Sequence, residues 1–180
     1  MDTINDSSAK IADFLLQIKA IILNTKEPFT WASGLKAPIY CDNRKTLSYP
    51  QIRTFIRQEF VNHIIEKYGK PDVIAGVATG GIPHGILVAQ ELALPFIYVR
   101  NSEKQHGLKN LIEGYYEPGQ SVIVIEDLIS TGGSSIRAIQ ALRDGGCIVN
   151  GLVSIFNYNL KSAVKNFKEI NCKFSSLSNF

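Results

Sequence analysis

Between Val122 and Gly133 the chain reads VIVIEDLISTGG: an apolar run, two adjacent carboxylates at Glu126 and Asp127, then a turn of hydroxyls and glycines. In a parallel sheet, ligands collect beyond the carboxyl ends of strands, where loops carry polar groups without burying them. The two acids are therefore expected at the mouth of a site. Successive side chains at a strand end diverge, which suits a ring with adjacent donors, such as the two hydroxyls of a ribose. Ser130, Thr131, Gly132, Gly133 and Ser134 follow. They offer hydroxyl donors, glycines that permit a nest of inward-facing N–H groups, and the positive end of a following helix. Carboxylates for a sugar and a nest for a phosphate together describe a 5'-phosphorylated ribose. The blander alternative is an ordinary turn capped by Ser134 beside two solvated acids, and it leaves the coincidence of all three residue types in one short stretch unexplained.

Other ways of holding a phosphate are not represented: the chain has neither a G-x-x-x-x-G-K-[ST] loop nor a G-x-G-x-x-G after a strand. A second glycine turn, Thr79, Gly80 and Gly81, follows the apolar run DVIAGV. It reads equally as another anion site or as a packing requirement. His63 reads as a surface or boundary residue and His84 as a polar residue at a helix start. With Cys41, Cys147 and Cys172 widely separated, neither a zinc site nor a disulfide framework is indicated.

The elements that must position these residues follow from periodicity. Ile11, Leu15, Ile18 and Ile22 recur at helical spacing, predicting a first amphipathic helix over 9–23. Residues 25–44 mix proline, glycine and aromatics in short pieces, which predicts strands and turns lying over the main sheet. A second helix opens at Pro50 and stops before Gly69 and Pro71. Apolar strands at Val73–Val77, PFIYVR, SVIVIED and IVNGLVSIF then alternate with helices from Pro83 to Glu91 and from Ser134 to Arg143. Continuous apolar strands between helices predict an α/β fold with a mostly parallel sheet covered on both faces. The end, KFSSLSNF, starts like a strand and shows no final helix.

At 180 residues, with 45% apolar and 19% charged residues, one globular domain is the expectation. A net charge of +3 without a basic tract suits an anionic small substrate better than nucleic acid. The polar start MDTINDSSAK and the absence of 18 consecutive apolar residues argue against secretion and a membrane span. The cysteine usage points to a reducing, cytoplasmic setting.

VIVIEDLISTGGSS resembles the phosphoribosyl-pyrophosphate motif of the type I phosphoribosyltransferases. FTWASGLKAPIYCDNR, GVATGGIPHG and YVRNSEKQHGL are similar to the orotate branch of that family, especially its bacterial form. The resemblance runs from the first helix to about Phe167. It implies a parallel core sheet with a small N-terminal hood, mainly 25–45, in a single domain, and a family C-terminal strand and helix that this chain lacks. It also implies magnesium-dependent transfer of phosphoribosyl from 5-phospho-α-D-ribose 1-diphosphate to orotate, in de novo pyrimidine synthesis. A homodimer is implied, with a loop closing over the neighbouring site.

By the same resemblance the donor is held by Glu126, Asp127, Leu128, Ile129, Ser130, Thr131, Gly132, Gly133 and Ser134, with Ser130 also near orotate. Arg100, Lys104 and His106 engage the diphosphate, and Lys104, His106 and Asp127 carry the catalytic roles. His106 is either a proton donor to the leaving oxygen or a charge partner. No dedicated protein metal site is expected, because magnesium favours phosphate oxygens and water. Glu103 and Gln105 depart from the family pattern, leaving one positive charge fewer in that loop, with Lys109 a candidate to compensate. Trp31 reads as core, Phe29 and Tyr40 as either core or cover for a pyrimidine, Lys36 as able to approach an anion, and Cys41 as structural. A purine-using transferase and a non-catalytic donor sensor are the competing readings.

Overall fold

The computed structural model describes residues 6–31, 34, 36–101 and 111–180. Helix α1 (Asp6–Gln17) is followed by four short strands, β1 (Ile21–Leu23), β2 (Phe29–Thr30), β3 (Lys36–Ala37) and β4 (Ile39–Cys41), and by a 3-10 turn, Asn43–Ser48. The rest alternates: α2 (Pro50–Tyr68), β5 (Val73–Val77), α3 (Gly81–Leu92), β6 (Phe96–Val99), β7 (Ile112–Glu113), β8 (Ser121–Ile129), α4 (Gly133–Asp144), β9 (Ile148–Asn157), α5 (Lys161–Glu169) and β10 (Phe174–Asn179).

Six strands form one sheet in the order β10-β9-β8-β5-β6-β7, parallel throughout except for β7 at one edge. Strand β8 is central, and its residues Val122 to Ile125 are wholly buried. Ile123 and Ile125 pack into the cluster built on α1, α2 and α3, whereas Val122 and Val124 pack into the one built on α4 and α5. That is why the run is apolar at every position and does not alternate with polar residues. The strand-like start read in KFSSLSNF is β10, the edge strand paired with β9.

The first helix is shorter than its periodicity suggests. It ends at Gln17, Lys19 takes a left-handed φ of 54°, and Ile21–Leu23 becomes a strand paired antiparallel with Ile39–Cys41. Ile22, expected on the helix's buried stripe, is 41% exposed. Its spacing from Ile18 mimics a helical repeat, but the β-branched pair Ile21 and Ile22 finds strand partners instead. Strand β8 also runs two residues further than expected, from the predicted end at Asp127 to Ile129.

His84 lies near the start of α3, as read, but inside the core. It is 2% exposed, in the first turns of α3, with Nε2 3.4 Å from Thr46 Oγ1. Burial, with Arg53 adding to it, pushes the imidazole down to about 4. The unfolded chain protonates near 6.5, so the unfolded state gains protons first and His84's contribution to stability, present above pH 6.5, is lost as pH falls through 4. The expected loss is about 3 kcal/mol. Urea titrations between pH 7.5 and 4 check this: His84→Gln should remove most of the difference, and equal slopes in both proteins would exclude His84 as its cause.

Among the described residues, no helix is long and apolar enough to cross a membrane.

Candidate active site

A cleft of about 420 Å³ opens at the carboxyl ends of the parallel strands. Glu126, Asp127, Leu128, Ser130 and Ser134 line one side, and the turn at Ala78, Thr79 and Gly80 lines another. Trp31, Tyr40, Asp42 and Arg44 of the N-terminal segment, with Tyr158 after β9, complete the lining.

Strand parity sends the two acids to opposite faces of β8. Glu126 turns toward α4: it is 4% exposed, Oε2 accepts the Ser135 hydroxyl at 3.1 Å, and Oε1 accepts the Asp127 N–H at 3.1 Å. Asp127 turns toward the start of α3. A Cβ placed on Gly80 would lie 2.3 Å from its carboxyl group, and one on Gly81 would lie 2.3 Å from the Ile125 carbonyl oxygen. The two glycines of this turn thus do different work: Gly81 lets α3 pack on β8, and Gly80 leaves room for a carboxylate.

Burial pushes the Glu126 carboxyl well above the usual carboxylate range, and the charge of Asp127 pushes it further. Burial also raises Asp127, partly offset by its own hydrogen bonds and by Arg44. Two buried acids this close resist carrying two charges. The pair is suited to receive hydroxyl donors or to face a cation.

The turn after β8 leads into α4 with Gly132 as the cap, at φ 84°, and without a side-chain capping bond. Ser134 therefore faces the cleft and does not cap the helix, whose first N–H groups are left for an anion. Gly132 is required twice over. Its φ is left-handed, and a Cβ there would meet the Phe167 ring at 2.7 Å. Asn166 Nδ2 donates to the Thr131 carbonyl at 3.0 Å and holds the turn from α5. The Ile129 side chain is wholly buried in the core, so it faces away from the cleft.

Arg100 sits just after β6, beside the cleft-lining Asn101, with Nη1 3.5 Å from Glu113 Oε1. Lys104 and His106, like Glu103, Gln105 and Lys109, lie outside the described residues.

The N-terminal segment lines part of the cleft, and here sequence reasoning missed Asn43 and, after β9, Tyr158. Trp31, read as core, is half-buried and forms a cleft wall. Its Nε1 donates to the Ile39 carbonyl at 2.9 Å, and its ring stacks on Tyr158 with centroids 4.0 Å apart. Phe29 and Tyr40 pair at 5.6 Å, and Tyr40 reaches the cleft while Lys36 stays exposed. Asn43, 1% exposed, donates from Nδ2 to the Asp127 carbonyl at 2.6 Å and accepts the Cys41 thiol at 3.1 Å, clamping this segment to β8. The Cys41 thiol is pushed up to about 12 by burial and two nearby aspartates, so it stays protonated and structural. Tyr158 follows the end of a parallel strand, the same signal that drew attention to Asp127.

Among the described residues no cluster of three or more His, Cys, Asp or Glu side chains could cage a metal.

A buried acid pair, a helix start with free N–H groups and a glycine turn, all at the carboxyl edge of a parallel sheet, are the marks of a phosphoribosyltransferase. Residues 47–176 match the phosphoribosyl transferase domain family. The chain is 57% identical to the orotate phosphoribosyltransferase of Phocaeicola vulgatus, over 94% of this chain and 80% of that protein. It is 51% identical to that of Listeria innocua, over 95% and 82%. The solved orotate phosphoribosyltransferase of Aeropyrum pernix superposes with a TM-score of 0.84 at 25% identity, over 94% of this chain and 93% of that one. The chain belongs to the orotate phosphoribosyltransferase family.

Proposed function

We propose that the protein transfers the 5-phosphoribosyl group of 5-phospho-α-D-ribose 1-diphosphate to N1 of orotate, giving orotidine 5'-monophosphate and diphosphate in de novo pyrimidine synthesis. One observation carries this reading: the acid pair, the Ser130–Ser134 turn, the Gly80 turn and an aromatic wall converge on a single cleft. Each matches a different part of the two substrates.

Asp127 and Glu126 accept the ribose hydroxyls. The turn from Ser130 to Ser134 and the start of α4 hold the 5'-phosphate, and Leu128 lines the cleft beside them. The Thr79–Gly80 turn faces the diphosphate, with Arg100, Lys104 and His106 supplying positive charge. Residues 25–45 form a hood over the pyrimidine. As the bond from ribose C1 to the diphosphate oxygen breaks, positive charge grows on the sugar and negative charge on the leaving group. The chain's contribution is to hold both partners in line, to match that redistribution with fixed charges, and to exclude competing water.

Magnesium, when bound, neutralises the diphosphate and strengthens it as a leaving group. Asp127 and Glu126 would help hold it, since two buried acids that resist carrying two charges gain from a nearby cation and magnesium binds through one or two carboxylates plus phosphate oxygens. By family resemblance the protein works as a cytoplasmic homodimer, with the loop bearing Lys104 and His106 shared between neighbouring sites.

The deciding assay is orotidine 5'-monophosphate formation from orotate and the phosphorylated donor, with and without magnesium. Robust turnover that collapses on chelation is expected. Donor consumption with adenine or hypoxanthine but not with orotate would overturn the assignment.

A further inference from the structure

Tyr158 lies immediately after β9, its N–H donates to the Ile129 carbonyl at 3.1 Å, and its side chain lines the cleft. It is 5% exposed and held from three directions. Its ring lies flat against Trp31 at 4.0 Å, Phe156 meets it edge-on at 5.7 Å, and its hydroxyl oxygen accepts the Cys41 N–H at 2.9 Å. A phenol both donates and accepts. The accepting side is used, but the O–H proton has no acceptor among the described residues. Buried hydroxyls are nearly always paired, so an unsatisfied donor at a cleft wall points to a partner that arrives with the ligand.

The position narrows what that partner is. The sugar and phosphate ends of the cleft are accounted for by Asp127, Glu126 and the Ser130–Ser134 turn, all on β8 and its following loop. The Tyr158 backbone also pairs with β8 at Ile129, but its side chain is tied to the N-terminal segment through Cys41 and Trp31. A flat aromatic pair with one inward donor suits a planar heterocycle carrying ring or carboxylate oxygens. Accepting a peptide N–H also makes the phenol a better donor, because hydrogen bonds in a chain polarise one another. Burial, with Cys41, Tyr40 and Asp127 adding to it, holds the phenol well above its ordinary range, so the proton is present throughout the working pH range.

We infer that Tyr158 reads the base, donating its O–H to an oxygen of the pyrimidine while its ring and Trp31 form the wall against which the base lies. The inference rests on the orotate reading of the site and adds a specificity residue to it.

Tyr158→Phe keeps the stack and removes the donor. The KM for orotate is expected to rise 10- to 100-fold while the KM for the phosphorylated donor stays within about twofold, with the melting temperature within a few degrees of wild type. Trp31 is the only tryptophan. In the wild-type protein, orotate should therefore perturb its fluorescence, and diphosphate alone should not; this measurement stands even if the variant does not fold. An unchanged orotate KM, an equal rise for both substrates, or indole emission indifferent to orotate would each overturn the inference. A wild-type protein that forms no orotidine 5'-monophosphate would sink the functional reading instead, so the two failures are distinguishable.

Discussion

Asp127→Asn is expected to lower kcat/KM by a hundredfold to a thousandfold while leaving the protein folded and more stable than wild type. The activity loss follows from the role of the carboxylate: an amide accepts hydroxyl donors more weakly and offers no charge to a cationic sugar, and losses of this size are typical when one preorganised electrostatic contact is removed. The stability gain follows from burial. Asp127 and Glu126 are both raised above the usual carboxylate range, mainly because the cleft desolvates them, and Glu126 is raised further by Asp127's charge. The folded state therefore binds protons more tightly than the unfolded chain, and stability held below the unfolded carboxyl range is lost as pH rises through the folded values. Removing one charge should lift the melting temperature more at pH 8 than at pH 5. Activity and thermal unfolding measured on one preparation test both parts. A variant that is inactive and less stable would mean that Asp127 mainly holds the fold.

Gly80→Ala is expected to cost about a hundredfold in activity with little effect on folding. Gly80 has φ −66° and ψ −30°, ordinary helical values, so alanine suits the backbone. The obstacle is Asp127, whose carboxyl atoms lie 2.3 to 2.6 Å from where the methyl group would be. One short side chain can rotate away, so the fold survives, but the carboxylate then leaves the position proposed to face the sugar. This makes the two substitutions interdependent. Added to Asp127→Ala, which frees the space, Gly80→Ala should cost almost nothing more, a coupling that a double-mutant cycle measures directly. Additive losses in the double variant would show that Gly80 acts independently of Asp127, through the turn itself.

Much of the scaffold was legible in local pattern. Val122 to Ile125 read as a strand buried on both faces because every position is apolar, and the sheet covers it on both faces. Gly132 read as a turn glycine leading into a helix, and it caps α4 in the left-handed conformation that glycine adopts at low cost. Local pattern failed where two periods overlap. Ile18 and Ile22 continue the helical stripe of α1, yet Ile21–Leu23 pairs as a strand with Ile39–Cys41, a partner that no window around Ile22 contains. The same blindness hid Asn43 and Tyr158, whose roles exist only through contacts with Asp127 and Cys41 far away in the chain.

By itself the sequence determined the strand and helix alternation, the both-sided burial of β8, and the order of acids, hydroxyls and glycines along one turn, because these depend on periodicity and on the backbone preferences of single residues. Only the tertiary structure decided which side of the acid pair meets Gly80, that Ser134 faces the cleft and does not cap its helix, and that Trp31 and Tyr158 stack into a wall. Those outcomes depend on closing loops between distant segments, and close packing then admits only the side chains that fit.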